Sequence, residues 1–387
     1  MLKEVSFSSA LPRSAKTLFS PAFVLASINA STWSQGVRLG FSFAAGLLAR
    51  FFEHATRYDC LRLCMCLIAL RLCVADQTFA EWSAITGAKV LYTDNVFEFS
   101  AARRLQLSED PSQPVIVPLS RPSDTVWEPS IDLRRTSSSS LGLTEISVKA
   151  HGFIFTNNPI FNHGDYRIQV NQQVAADTFV LLRYRYVPNL FLGPNTERQT
   201  GNQLPIEERV TSHTWRAQFE RKLNDRWTAT LVGRYGLRFY NNAFSERDTW
   251  FYTIGPRLQF HATPWATVTL DYLYERGFAD GRNEPQFKDD VSYWQNFVSL
   301  GTLFQLTDPL SLELIYVYRQ KQFTTDLAGD PLHGAVDNLH QGSAEVHYDV
   351  SSAARVTVGY QRTQRSSNFG SREFFNDNAS LGVQYRF

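Results

Sequence analysis

The sequence predicts an all-β protein: a transmembrane, antiparallel, up-and-down β-barrel of about fourteen strands, with twelve or sixteen strands as alternatives. Three observations predict this fold. Apolar and polar residues alternate with period two through most of the chain beyond position 80, as they do when the two faces of a strand meet different surroundings. Short turns and long polar connections follow one another in regular order. The chain contains no run of 18 uncharged apolar residues that would form a membrane-spanning helix.

The predicted strands fill the chain from about residue 83 to its last residue. Their expected bounds are 83–99, 125–135, 145–155, 166–174, 178–187, 210–222, 227–240, 249–261, 266–278, 291–306, 311–323, 341–350, 355–364 and 374–387. Most are nine residues or longer, which is enough to cross a hydrocarbon core when the strand is tilted. An even number of strands places both ends of the barrel on the same side of the membrane.

Turn residues divide these strands into hairpins. Short turns are expected at 175–177, 224–225, 262–264, 307–309 and 351–352, where Asp, Asn, Pro and Ser cluster. Long connections are expected at 101–124, 157–165, 188–208, 241–248, 279–290, 324–337 and 366–372, together with a serine-rich link at 136–144. Short turns on one side and long loops on the other are typical of outer-membrane barrels. The long loops are interpreted as mobile polar segments, with constriction of a pore or a receptor role as alternatives.

The two faces of the strands differ in character. In the fifth strand Val180, Leu182, Tyr184 and Tyr186 share one face, which we expect to meet lipid. Aromatic residues near both strand ends predict two interfacial girdles, with Trp227 and Trp265 at the short turns and Tyr186, Tyr240, Tyr274 and Tyr318 near the long loops.

The last strand alternates up to its final aromatic residue. Leu381, Val383, Tyr385 and Phe387 share one face and resemble the C-terminal signal by which barrel-insertion machinery recognises outer-membrane proteins. The sequence therefore predicts an assembly signal and a location in the bacterial outer membrane. An ordinary last strand of a soluble sandwich is the alternative.

Residues 1–80 differ from the rest and are predicted to be a targeting region or extra N-terminal sequence, ahead of a barrel at 81–387. They contain all four cysteines, and the apolar run 61–75 has the length of a signal-peptide core although Arg71 interrupts it. Beyond position 80 no cysteine remains for a disulfide or a thiolate metal site. No metal-ligand spacing or nucleotide motif is present, so the sequence predicts neither a metal site nor a cofactor.

The second strand face carries many charges, with arginine the commonest. The expected lumen-facing cations, which would contact a solute, are Arg134, Lys149, Arg167, Arg183, Arg185, Arg216, Arg234, Arg238, Arg257 and Arg319. Guanidinium groups bind carboxylates and phosphates, so this face favours anionic solutes. The alternative is that interior charges pair with one another and only hold the wall. Phe153, Phe155, Phe179 and Phe297 are candidate stacking surfaces for sugars, or else plugs.

Two other function classes receive little support. A barrel lipid hydrolase needs Ser, His and an acidic or amide partner on one patch. Ser212-His213 and the stretch 337–340, which ends in His340, come nearest to that pattern, so we expect no enzyme. A net charge of +1 also gives no reason to expect a nucleic-acid partner.

A family resemblance lies at the start of the barrel. The stretch Tyr92-Thr93-Asp94-Asn95-Val96-Phe97, followed by Ser123-Asp124-Thr125-Val126-Trp127-Glu128-Pro129-Ser130-Ile131, resembles the opening of the type 2 family of β-barrel porins. Members of that family often belong to exopolysaccharide production systems. The resemblance implies an outer-membrane conduit for anionic or saccharide solutes, exopolysaccharide among them, and transfers no catalytic residue. A structural or adhesive barrel without transport remains the alternative.

Overall fold

The computed structural model describes residues 80–97, 123–139, 142–368 and 374–387. These residues form fourteen antiparallel strands: β1 (Ala80–Thr93), β2 (Asp124–Ser139), β3 (Gly142–Phe155), β4 (His163–Ala175), β5 (Thr178–Thr196), β6 (Pro205–Lys222), β7 (Trp227–Tyr240), β8 (Thr249–Thr263), β9 (Ala266–Ala279), β10 (Tyr293–Gln305), β11 (Leu310–Phe323), β12 (Val336–Asp349), β13 (Ala354–Ser367) and β14 (Phe374–Arg386). Each strand pairs with its neighbours in sequence, and β1 pairs with β14, so the sheet closes. The predicted fold class and strand number are confirmed.

Closure depends on the pairing of the last strand with the first. Val383 lies opposite Ala88 and Leu381 opposite Val90. Beyond the end of β14, the Phe387 amide donates to the Ala84 carbonyl at 2.9 Å. A closed sheet leaves no edge with unpaired backbone groups. The predicted targeting region lies outside the described residues, apart from its last residue, and so do all four cysteines.

The prediction of a serine-rich link at 136–144 is wrong, because most of this segment is strand. β2 continues to Ser139 and β3 begins at Gly142, and these two residues are cross-strand partners. Gly142 has a φ of 109°, and a Cβ there would lie 2.5 Å from the Gln173 carbonyl oxygen. Glycine allows this tight connection because the left-handed backbone and the close approach both exclude a side chain. The serines resemble a loop in sequence because they lack apolar alternation.

The long connection predicted at 188–208 is also mostly strand. β5 runs to Thr196 and β6 begins at Pro205, which leaves only 197–204 as the loop. The register of this hairpin shifts after Val187 and again after Phe191. Each irregularity disturbs the period-two pattern from which a strand is recognised in sequence, so the extension was missed.

The outward face of the barrel is apolar from strand to strand. Its exposed side chains include Leu182, Leu231, Ile254, Leu270, Leu300, Leu314, Val346, Val358, Leu381 and Val383. Soluble monomers rarely expose continuous apolar patches larger than a few hundred Å². The outer surface is therefore suited to a lipid environment.

Aromatic pairs lie near both ends of this apolar surface. At the short-turn end Trp227 stacks on Phe260 at 4.4 Å between ring centroids, and Trp265 lies 6.1 Å from Phe304. At the long-loop end the pairs are Trp250 with Phe278 at 4.3 Å and Tyr166 with Tyr186 at 6.3 Å. Rings with an apolar body and a polar tip suit the two membrane interfaces. In the part of the chain that the structure describes, no helix has the length and apolarity needed to span a membrane.

Candidate functional site

Six of the predicted lumen cations lie together on the inner face of β3 to β7, and we call them the basic ladder. They form two rows of direct cross-strand neighbours, Lys149–Arg167–Arg185 and Arg183–Arg216–Arg234. The rows adjoin because Arg183 and Arg185 are two residues apart on β5 and point to the same face. The barrel thus gathers on one wall cations that are far apart in sequence.

This arrangement is unusual because like charges face each other across the strands. Arg183, Arg216 and Arg234 are each about 6% exposed. Like charges directly opposite each other destabilise a sheet, and burial of a charge adds a cost unless hydrogen bonds compensate. Acidic or neutral residues at some of these positions would lower the electrostatic cost.

Fixed hydrogen bonds hold part of the ladder in place. Arg185 donates from Nε and Nη2 to the carboxylate of Asp165, with contacts of 3.0 Å from each nitrogen, and Arg167 reaches the same carboxylate at 3.4 Å. Arg183 donates from Nε and Nη2 to Oε1 of Gln169 at 2.8 and 2.7 Å. A guanidinium held on two nitrogens has a defined orientation. These side chains are therefore positioned rather than mobile.

The other four predicted cations lie apart from the ladder. Arg134 pairs with Asp132 at 2.7 Å, and Arg257 pairs with Asp271 at 2.6 Å. Arg319 is 1% exposed on β11. Arg134 and Arg257 therefore fit the alternative in which interior charges pair and hold the wall, whereas in the ladder arginine faces arginine.

The fourth of them, Arg238, belongs to a polar chain that the sequence did not reveal. It donates to the Tyr293 hydroxyl at 3.0 Å, and that hydroxyl donates to Glu275 at 2.7 Å. Thr253 donates to the second oxygen of Glu275 at 2.5 Å. The Tyr293 ring lies over Gly277, where a Cβ would come within 2.3 Å of it. The partners come from four strands, so no local sequence signal could have identified them.

The interior also contains apolar clusters. Val232, Leu273, Phe297, Ile315, Val317 and Leu339 pack together on the inner face. Phe153 and Phe155 pack into a second cluster with Phe161 and Phe191. Phe153, Phe155 and Phe297 are therefore buried rather than open to a sugar ring, which favours the plug interpretation over stacking surfaces, while Phe179 is half-buried. Period two predicted which face these residues occupy but not which neighbours cover them.

At the long-loop end, Arg247 joins the connections between neighbouring hairpins. Its guanidinium donates to Asp289 at 2.7 and 3.0 Å and to Glu208 at 2.9 Å. Burial alone would lower the pKa of Arg247, but these two carboxylates raise it above its ordinary value. Arg198 adds a bond to the Lys288 carbonyl at 2.5 Å. These loops are tied together, unlike the mobile loops expected from their polar composition.

The candidate hydrolase residues do not form a catalytic set. Ser212 is buried on the inner face of β6, whereas His213 points outward, where its Nδ1 lies 2.8 Å from the Tyr184 hydroxyl. Adjacent strand residues point to opposite faces, so this serine and this histidine cannot act on one substrate. His340 likewise faces outward, with its Nδ1 2.7 Å from the Tyr316 hydroxyl.

The four residues of the predicted assembly signal lie on the outward face of β14 and at its end. Leu381, Val383, Tyr385 and Phe387 are exposed, and the last two rings meet edge to face at 4.7 Å between centroids. Their outward position agrees with lipid contact. Recognition by insertion machinery stays a prediction.

Comparisons with known proteins give structural likenesses of low sequence identity. No protein-family model and no curated protein matches the chain. The solved structures include the outer membrane channel DcaP of Acinetobacter baumannii, with a TM-score of 0.47, 11% identity, and coverage of 80% of this chain and 97% of that one.

Two further structures are similar in the same way. The anion-selective porin from Comamonas acidovorans gives a TM-score of 0.42 and 9% identity, covering 80% of this chain and 99% of that one. A bacterial polysaccharide outer membrane secretin gives a TM-score of 0.43 and 8% identity, covering 78% of this chain and 98% of that one. Because these TM-scores are below 0.5, conclusions about this chain rest on its own residues. The resemblance to the type 2 porins stays a prediction.

Proposed function

We propose that this barrel spans the bacterial outer membrane and conducts anionic or saccharide solutes, including acidic exopolysaccharide, past its basic ladder. Its partners are outer-membrane lipid on the outer face and the solute within. The proposal starts from the sheet itself, whose strands are all paired and whose outer face is apolar. Backbone groups find no hydrogen-bond partners in lipid, so a closed barrel is the form of sheet that can lie there.

The observation that carries the proposed selectivity is the row Arg183–Arg216–Arg234 on three consecutive strands. Three cations in register repel one another and destabilise the barrel wall when no solute is bound. An anion that passes the row relieves that repulsion, since guanidinium groups bind carboxylates and phosphates in a planar, two-nitrogen geometry. The same wall opposes cations. The charge of the row supports a selectivity for negative solutes.

The low exposure of the ladder suits a narrow passage. An extended, negatively charged saccharide chain would contact several guanidinium groups in turn, exchanging one for the next as it moves. Conduction requires sites that bind enough to admit a solute and weakly enough to release it. The ladder provides such a series of sites, because its arginines are either two residues apart on one strand or direct partners on adjacent strands. The polysaccharide class itself comes from the resemblance at the start of the barrel.

The direct test is ion selectivity in a planar lipid bilayer. We expect the wild-type barrel to conduct, with a reversal potential under a KCl gradient that indicates a preference for chloride. The triple variant Arg183→Gln, Arg216→Gln, Arg234→Gln should lose roughly tenfold of that preference, because a wall of one sign concentrates counter-ions at least this strongly.

The matched control is Arg362→Gln. Arg362 is an exposed arginine on β13 that pairs with Asp377 at 3.4 Å outside the lumen. Its replacement should leave the reversal potential unchanged. A cation-selective wild-type channel, or equal selectivity in the triple variant and the wild type, would contradict the role of the ladder while leaving the barrel intact.

A structural barrel without transport is the second candidate. The apolar cluster of Val232, Leu273, Phe297, Ile315, Val317 and Leu339 favours it, because apolar side chains on the inner face exclude water from their part of the lumen. No conductance from correctly folded protein, with or without the arginine substitutions, would support this candidate against the channel.

A further inference from the structure

Glu313, Glu345 and His347 meet on the inner face near the short-turn end of β11 and β12. Glu313 and Glu345 are direct cross-strand neighbours. One ligand atom from each of the three residues lies within 4.8 Å of the others. All three residues are more than nine-tenths buried, with exposures of 7%, 5% and 6%. Two carboxylates in register repel each other, so this position requires positive charge.

The imidazole of His347 points between the two carboxylates. Its Nδ1 lies 3.0 Å from the Thr357 hydroxyl, which fixes the orientation of the ring. Its Nε2 lies 3.6 Å from Oε2 of Glu313 and 4.0 Å from Oε2 of Glu345. Both separations are longer than a hydrogen bond. A buried ring nitrogen is thus aimed at two carboxylate oxygens without bonding directly to either.

These separations are somewhat longer than the spacing of atoms that share one small cation. Zn²⁺ binds histidine nitrogen and carboxylate oxygen at about 2.0–2.2 Å with tetrahedral angles, which puts its ligand atoms about 3.4 Å apart. The two distances from His347 Nε2 exceed that value by a few tenths of an ångström, which small side-chain rotations can supply. One nitrogen and two carboxylate oxygens favour Zn²⁺ over Mg²⁺ or Ca²⁺, which prefer oxygen alone.

Three neighbours of the cluster bear on this geometry. Lys89 on β1 bonds Oε1 of Glu345 at 2.9 Å, and Oε2 of Glu345 is the oxygen nearer the imidazole. Gly359 lies opposite Glu345 on β13, where a Cβ would come within 3.1 Å of the Glu345 Cγ. The Thr357 hydroxyl acts as the outer partner that holds a ligating histidine in place.

We propose that Glu313, Glu345 and His347 bind one divalent transition-metal ion of the Zn²⁺ type in the barrel wall. The ion links β11 to β12 and, together with the Lys89 ammonium that bonds Glu345, offsets the repulsion of the two carboxylates. Three protein ligands leave a fourth position open toward the lumen. This site is independent of the basic ladder and of conductance. It departs from the sequence-based expectation of no metal site, which considered only local Cys and His spacing.

The test is calorimetric titration of the full chain, stripped with a chelator and folded in detergent, with ZnCl₂. We expect one ion per chain in the wild type. His347→Gln and Glu313→Gln should each weaken binding by at least about 100-fold, because even the loss of an outer partner of a ligand costs 10- to 100-fold. Glu313→Asp keeps a carboxylate and should retain measurable binding. Zn²⁺ should also raise the unfolding temperature of the wild type but not of His347→Gln.

His151→Gln is the matched control. His151 is also a buried histidine of the inner face, with its Nε2 3.4 Å from Glu128, but among the described residues it belongs to no group of three ligand atoms close enough to share an ion. This variant should bind Zn²⁺ as the wild type does. Absence of Zn²⁺ binding in the wild type would overturn the proposal. So would equal binding in His347→Gln, provided that folded and boiled samples of this variant migrate on a gel as those of the wild type do.

Discussion

Inward-facing glycines determine where the aromatic rings of the lumen lie. Gly236 on β7 is the cross-strand partner of Phe251 on β8, and the Phe251 ring covers it. Arg238, two residues further along β7, also lies over that ring, 4.2 Å from its centroid. Because Gly236 has no side chain, the Phe251 ring can lie against the backbone of β7. The ring in turn contacts the Arg238 guanidinium through a cation–π interaction. A single hydrogen in place of a side chain thus positions two neighbours.

Gly236→Ala is expected to destabilise the barrel by about 1–3 kcal/mol, the usual cost of forcing extra volume into a packed interior. The added Cβ would lie 2.1 Å from the Phe251 ring, so the ring and Arg238 have to shift. Unfolding of the detergent-solubilised barrel by heat or denaturant measures the loss. Gly233→Ala on the same strand is the control, because a Cβ there meets nothing within 4 Å. Equal stability of the two variants would contradict the role assigned to the contact between Gly236 and the Phe251 ring.

Among the connecting elements, the loop between β7 and β8 is held by charged groups of its neighbours. Glu246 is buried there, and Gln199 of the adjoining loop donates to its Oε2 at 2.7 Å. Burial raises the pKa of Glu246 above the ordinary carboxyl value of 4.5, although the bond from Gln199 partly opposes this. The folded loop therefore keeps the Glu246 proton to a higher pH than the unfolded loop does.

The sign of the pH effect follows from that pKa. A carboxyl group with a raised folded-state pKa stabilises the folded form least when it is ionised, so loop stability falls as the pH rises above about 4.5. Hydrogen exchange over 241–248, corrected for intrinsic rates, should show greater protection at pH 5 than at pH 8. Glu246→Gln should increase protection at pH 8 and reduce the difference between the two pH values.

Glu284→Gln is the control for this prediction, because it removes a half-buried carboxylate from a neighbouring loop. It should leave the pH dependence over 241–248 as in the wild type. A Glu246→Gln loop that exchanges faster than the wild type at pH 8 would show that the ionised carboxylate, and not its burial, determines loop stability.

For the molecule as a whole, closure and the apolar outer face act together. Pairing of β1 with β14 removes the last free edge, and the exposed apolar side chains of the outer face suit contact with lipid. Such a barrel resists detergent at room temperature and unfolds when heated. Folded and boiled samples should therefore migrate differently on a gel in dodecyl sulfate. Identical migration, together with solubility in the absence of detergent, would contradict a membrane barrel.

Much of this architecture is determined by local sequence. The fourteen strands, the five short turns and the inward orientation of Arg183, Arg216 and Arg234 all follow from period-two alternation and turn residues, because each depends on near neighbours in the chain. The same reasoning failed for 136–144 and 188–208. A run of serines and two register shifts removed the alternation there, while cross-strand hydrogen bonds kept the strands.

Tertiary structure alone decided which side chains meet. The rows of the basic ladder, the chain from Arg238 through Tyr293 to Glu275, and the cluster of Glu313 with Glu345 and His347 each join residues from different strands. Such contacts depend on strand register and on barrel closure, which are set by pairings between distant parts of the chain. Sequence determined the fold and the face of each residue, and closure of the sheet determined the neighbours on which any chemistry depends.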